Sequence, residues 1–126
     1  MSAPGTDCLF CRIVSEEIPA EIVAATEFSV AFRDISPAAP THILVIPRRH
    51  VPNAGELAAA SAEELADVVL LAREVARSEG LDDGGEDDVR PGGYRLVVNT
   101  GARSGQSVFH AHVHVLGGRD LGWPPG

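Results

Sequence analysis

Two hydrophobic periods run along this chain. Beyond Ser61, the residues Leu65, Val68, Val69, Ala72, Val75 and Ala76 recur every three or four positions, the stripe of an amphipathic helix. Ser61 and Glu64 stand at capping-box spacing at its start, and Gly80 is a natural stop. Leu9, Phe10, Ile13 and Val14 repeat the pattern over a shorter length, which predicts a short helix ending before Pro19. Segments 22–25, 28–33, 42–46, 94–99 and 109–116 instead read as strands. In 28–33, Phe28, Val30 and Phe32 share one face, with Ser29, Ala31 and Arg33 opposite. Segment 42–46 is apolar on both faces, as a central strand requires, and 35–41, with two prolines, is a loop. One long helix, one short helix and strands leading into hairpins predict an α+β architecture with an antiparallel sheet.

Composition narrows this picture. At 126 residues, 44% of them hydrophobic, the chain reads as one folded domain over 8–126, preceded by a fraying segment 1–7. Segment 82–93 is rich in Asp, Glu and Gly without apolar period, and is expected to be a mobile acidic surface loop. The formal charge is −8, with every cation an arginine, so bulk charge gives no attraction to nucleic acid. No apolar run reaches the length of a membrane span, and a cytoplasmic location is expected. The only cysteines, Cys8 and Cys11, make no disulfide framework; in a reducing compartment they suggest a metal half-site or two plain thiols.

The candidate chemistry lies in Gly105 to Leu116. His110, His112 and His114 alternate with Ala111, Val113 and Val115, so on a strand the imidazoles share one face at roughly 6.6 Å spacing. Threonine, lysine or serine would serve a merely exposed face better. A metal cluster is a second reading. Work on a phosphate is favoured, because Gly105 permits close backbone approach and Ser107 sets a hydroxyl beside the row. A neutral imidazole can attack phosphorus and leave again, and His112, flanked by histidines, is the best candidate.

His110-Ala111-His112-Val113-His114-Val115-Leu116 matches the His-x-His-x-His-x-x signature, and the chain resembles the histidine-triad (HIT) superfamily. The run from Gly105 to Gly126, with Gly117-Gly118-Arg119 and Trp123-Pro124-Pro125-Gly126, is similar to its Hint branch, the nucleoside phosphoramidate hydrolases. Phe32-Arg33-Asp34-Ile35-Ser36-Pro37, the run from Pro40 to Pro47 with His50, and Val97-Val98-Asn99 extend the match to nearly the whole chain.

That resemblance implies a HIT-like fold with a five-stranded antiparallel sheet, and a homodimer whose two sheets join across a two-fold axis. It gives His112 the nucleophile's role, through a nucleotidyl-imidazole intermediate that water hydrolyses. Ser107 and His114 would bind the phosphate or protonate the leaving amine, Asn99 would support the phosphoryl group, and His110 would orient the catalytic ring. Gly105, Gln106 and Val108 would offer backbone amides to developing charge. Asp34 is expected on the ribose hydroxyls, with Phe10, Ile13, Phe32 and Ile35 around a purine base. The tail at Trp123 would approach the partner's site. His42, which opens a strand and matches no catalytic position, is expected to be structural.

The resemblance also implies a structural zinc held by Cys8, Cys11, His50 and His110, with no cofactor required for catalysis. The function expected is hydrolysis of purine nucleoside 5′-phosphoramidates to an AMP-like product. A nucleotide-binding or regulatory module with little turnover is an alternative, as is a dinucleoside polyphosphate hydrolase. A metal-centred enzyme using His110, His112 and His114 is disfavoured, since no carboxylate lies near them in sequence.

Overall fold

The computed structural model describes residues 8–82 and 92–126. The segment 1–7 and most of the acidic loop 82–93 therefore lie outside the described residues. The helices are α1 (Leu9–Val14), α2 (Ala54–Ala60) and α3 (Ala62–Ser78); the strands are β1 (Ile22–Ala25), β2 (Ser29–Arg33), β3 (Thr41–Pro47), β4 (Tyr94–Val97) and β5 (Val113–Gly117). All five strands form one antiparallel sheet in the order β1-β2-β3-β5-β4. Every residue of β3 is buried, as its two-faced apolar pattern demands of the central position.

Each face of the sheet has its own core. Ala31, Ile43, Val45, Ala111, Val113 and Val115 turn to α3, where they meet Val68, Leu71, Ala72 and Val75. Phe32, Leu44 and Ile46 turn the other way, onto Phe10 and Ile13 of α1. The Ser61 side chain accepts from Glu64 N–H at the start of α3, and Gly80 follows its end with φ of +76°. Asp67 of α3 accepts hydrogen bonds from Thr26 and from the fully buried Ser29, which fastens the helix over β2.

Three elements differ from the sequence expectation by more than one residue at an end. Helix α2 is additional, capped by Asn53, whose side chain accepts from Glu56 N–H. Strand β4 ends at Val97 rather than residue 99. Strand β5 begins at Val113 rather than 109, its ladder with β3 stopping at the Val45–Val113 pair, and Ala111 N–H goes to Val51 O instead of to β3. Two residues beyond that pair, the Pro47 carbonyl is taken by the His110 ring. Among the described residues, no helix is long and apolar enough to cross a membrane.

Candidate active site

The end of the sheet on the α1 side gathers all five histidines of the chain into two adjoining groups. His112 is buried, and its Nδ1 lies 2.7 Å from the His110 carbonyl oxygen. A carbonyl only accepts, so Nδ1 carries the proton and Nε2 keeps a free lone pair. Phe10 packs edge-on against the same ring at 5.1 Å and 89°. One tautomer and one orientation are thereby selected.

His114 sits between Leu44 of β3 and Val97 of β4. Its Nδ1 faces His42 Nε2 at 2.9 Å. His42 Nδ1 accepts the Ala38 N–H at 3.0 Å, so the His42 proton is on Nε2 and is donated to His114. His114 must then carry its own proton on Nε2, away from His42. Asp34 Oδ2 stands 3.4 Å from His42 Nε2, while Oδ1 accepts the Ser36 N–H. Burial pushes His114 down to about 4, helped by His112 and His42 and opposed by Asp34. Burial also lowers His42, against the pull of Asp34. The Asp34, His42 and His114 atoms are close enough to hold a cation, but the proton on His42 Nε2 makes them a hydrogen-bonded relay instead. His42, expected to be structural, thus stands directly against His114.

The His110 ring points elsewhere. Its Nε2 donates to Pro47 O at 2.8 Å, so Nδ1 is the lone-pair atom, and it faces Cys8 Sγ at 3.4 Å, Cys11 Sγ at 3.5 Å and His50 Nδ1 at 3.2 Å. Cys11 Sγ lies 3.2 Å from His50 Nδ1. Tetrahedral zinc with sulfur and nitrogen ligands has edges of about 3.3–3.8 Å, so the four donors fit such an ion with little movement. Burial holds His110 down to about 4, offset by the Pro47 carbonyl. Its help to His112 comes through the backbone carbonyl, not the ring.

Between β4 and β5 the chain makes a short 3-10 turn, Ala102–Ser104, bounded by Gly101 and Gly105 with φ of +87° and +102°. The buried Gln106 side chain clamps it, accepting from Gly101 N–H and donating to the Pro52 and Val108 carbonyls. Gly105 N–H is spent on Ala102 O and Gln106 N–H on Gly101 O, so these two amides do not face an anion as expected. Among the described residues, the Ser107 and Val108 amides have no such partner, and the Ser107 side chain is exposed. Val97, the last residue of β4, pairs with His114, and Asn99 follows two residues beyond the end of that strand.

The remaining predicted residues divide. Phe10, Ile13 and Phe32 are buried at the floor of this region, whereas Ile35, next to Asp34, is 98% exposed. Trp123 is exposed as well, in a tail held by an Arg95 hydrogen bond to Gly122 O. A groove of about 540 Å³ opens at the far end of β4 and β5, around Leu81, Tyr94, Arg95 and Arg119, and none of the predicted site residues lines it. The chemistry follows the histidines.

Comparison with known proteins places the chain in a family. The HIT domain profile matches residues 15–121, and the chain belongs to that family. An uncharacterized HIT-like protein of Synechococcus elongatus is 44% identical over 120 residues, 95% of this chain and 97% of the relative. The crystal structure of a HIT family hydrolase from Legionella pneumophila superimposes with a TM-score of 0.84 at 43% identity, covering 95% of this chain and all (100%) of the other. A histidine triad nucleotide-binding protein from Candida albicans gives 0.77 at 29% identity, over 94% of this chain and 83% of its own.

Proposed function

We propose that this chain is a Hint-type hydrolase that cleaves purine nucleoside 5′-phosphoramidates through a nucleotidyl-His112 intermediate. The observation that carries the reading is the orientation of His112, with Nδ1–H on a carbonyl and Nε2 left as a nucleophile in a desolvated site. In the first step Nε2 bonds to phosphorus as the P–N bond to the amine breaks, and His114 Nε2 gives the amine its proton. Water then breaks the P–Nε2 bond, releasing an AMP-like product and returning a proton to His114. The substrate's negative charge opposes the burial that keeps His114 neutral, so a proton enters the Asp34, His42 and His114 group with the substrate. Ser107, its amide, the Val108 amide and Asn99 would hold the phosphoryl oxygens. Asp34 would take the ribose hydroxyls, with Phe10, Ile13, Phe32 and exposed Ile35 at the base. The names of the Legionella hydrolase and the Candida nucleotide-binding protein support the reaction class and the ligand.

Cys8, Cys11, His50 and His110 would hold a structural zinc, closed to substrate and supplying a cross-link between α1 and the active-site strand. The two thiols are in keeping with a cytoplasmic location. A homodimer is supported by the open edge of β4, where Leu96 and Val98 are exposed, and by Val69 and Leu70 exposed on α3. The test is hydrolysis of adenosine 5′-phosphoramidate by the wild type and by His112→Ala. Turnover in the wild type alone is expected, and equal turnover in both would overturn the mechanism. AMP binding without any turnover would favour a nucleotide-binding module.

A further inference from the structure

We infer that the cysteine–histidine centre sets the nucleophile: acting through His110, the ligands Cys8, Cys11 and His50 are positioning residues that hold His112 in its attacking tautomer. The inference rests on the zinc and nucleophile readings above and adds a coupling between them.

His110 and His112 lie just outside the ladder, since β5 begins at Val113. Sheet pairing therefore does not fix the direction of the His110 carbonyl, on which the His112 tautomer depends. Side-chain anchors do. The His110 ring is held at one nitrogen by Pro47 O and at the other by the two thiols and His50. The next residue, Ala111, donates its N–H to Val51 O at 2.8 Å, so the pair His50 and Val51 grips the pair His110 and Ala111 by ring and by backbone. The ring and the carbonyl of His110 thus belong to one rigid unit, with the donor cluster at one end and the nucleophile at the other.

Helix α1 makes a second link. Phe10 stands between the two cysteines, and its ring meets His112 at 5.1 Å and His110 at 5.9 Å. A six-residue helix has no stability of its own, so tying down its first turn at Cys8 and Cys11 also fixes the wall that stops His112 from turning. An ion at the four donors draws both links tight. Without it, the Nδ1 side of the His110 ring is held only by its contacts with His50 Nδ1 at 3.2 Å and the two thiols, so the ring and the carbonyl that holds His112 gain freedom to shift.

The experiment compares the zinc-loaded chain, the chelator-stripped chain and the reloaded chain. It reads metal content, the imidazole nitrogen NMR signals of His112, AMP affinity and turnover. In the stripped chain, folded by circular dichroism, His112 should exchange between its two tautomers. kcat should fall about tenfold or more, with KM changed far less, and reloading should restore both. Should stripping unfold the chain, Cys8→Asp replaces the thiolate with a carboxylate oxygen and binds metal more weakly; its His112 tautomer should then track zinc titration. An unchanged single tautomer and unchanged kcat in either stripped or part-loaded protein would overturn the coupling while the zinc reading stands. A chain that takes up no zinc at saturating metal would remove both. Failure of the nucleophile reading shows separately, as turnover by His112→Ala.

Discussion

Replacing His42 tests the relay at its hidden end. His42 is 8% exposed, receives the Ala38 N–H on Nδ1, and gives its own proton to His114 Nδ1 at 2.9 Å. His42→Ala removes that donor and leaves a desolvated acceptor without a partner, which costs about 1–3 kcal/mol. The His114 ring regains a partner by turning or by admitting water, and either movement takes its Nε2–H away from the phosphoryl group. Returning it to the productive position at the transition state then costs the same free energy. At 1.36 kcal/mol per factor of ten, kcat/KM should fall about 5- to 150-fold. KM should change little, because Ser107 and Val108 are untouched. His42→Gln can offer an amide N–H near the former Nε2 and should recover part of the loss. The assay is steady-state hydrolysis of adenosine 5′-phosphoramidate at saturating and limiting substrate, with thermal melts to confirm folding. Wild-type kcat/KM in folded His42→Ala, or equal losses in the Ala and Gln variants, would refute the reasoning.

Other perturbations probe neighbouring parts of the site. Asp34→Ala should weaken binding of ribonucleotides more than of 2′-deoxy analogues in calorimetry, and equal losses would remove Asp34 as a ribose ligand. Gln106→Ala strips the clamp from the turn before Ser107 and should destabilise the fold by about 2–4 kcal/mol in denaturant melts, with weaker AMP binding; an unchanged midpoint would contradict that role. His114 titrates near 4 when folded against 6.5 when unfolded, so the unfolded chain binds more protons between those values. Its contribution is complete above pH 6.5 and is lost as pH falls toward 4, a drop of about 3 kcal/mol that His114→Asn should reduce in acid melts. AMP binding near pH 6 should also take up a proton, detectable by calorimetry in buffers of different ionisation enthalpy.

What the sequence discloses here is what local chemistry dictates. The Ser61 cap, the α3 stripe and the all-apolar β3 are legible because each depends on residues within a few positions of one another. Helix α2 is hard to read because alanine carries little periodic signal and only Leu57 is buried; the Asn53 and Glu56 spacing is the clue it leaves. The start of β5 depends on contacts with residues some sixty positions away, the His110 ring on Pro47 O and the Ala111 N–H on Val51 O. Three histidines at a spacing of two announce themselves. His42 does not, because its place beside His114 follows from the register of β3 against β5, in which Leu44 faces His114. Gln106 hides for a similar reason, since its three hydrogen bonds exist only once the turn has closed on Pro52. The direction of the His110 ring, away from its neighbours and toward the two cysteines, likewise depends on where α1 docks.

The central claim is covalent catalysis by His112 Nε2, and trapping the intermediate tests it most directly. Adenosine 5′-phosphoramidate would be mixed with the enzyme, quenched in base within the first turnover and digested for peptide mass spectrometry. The account predicts one adenylyl group on His112 in the wild type and none in His112→Asn. Adenylate on another residue, or full turnover by His112→Asn, would contradict it.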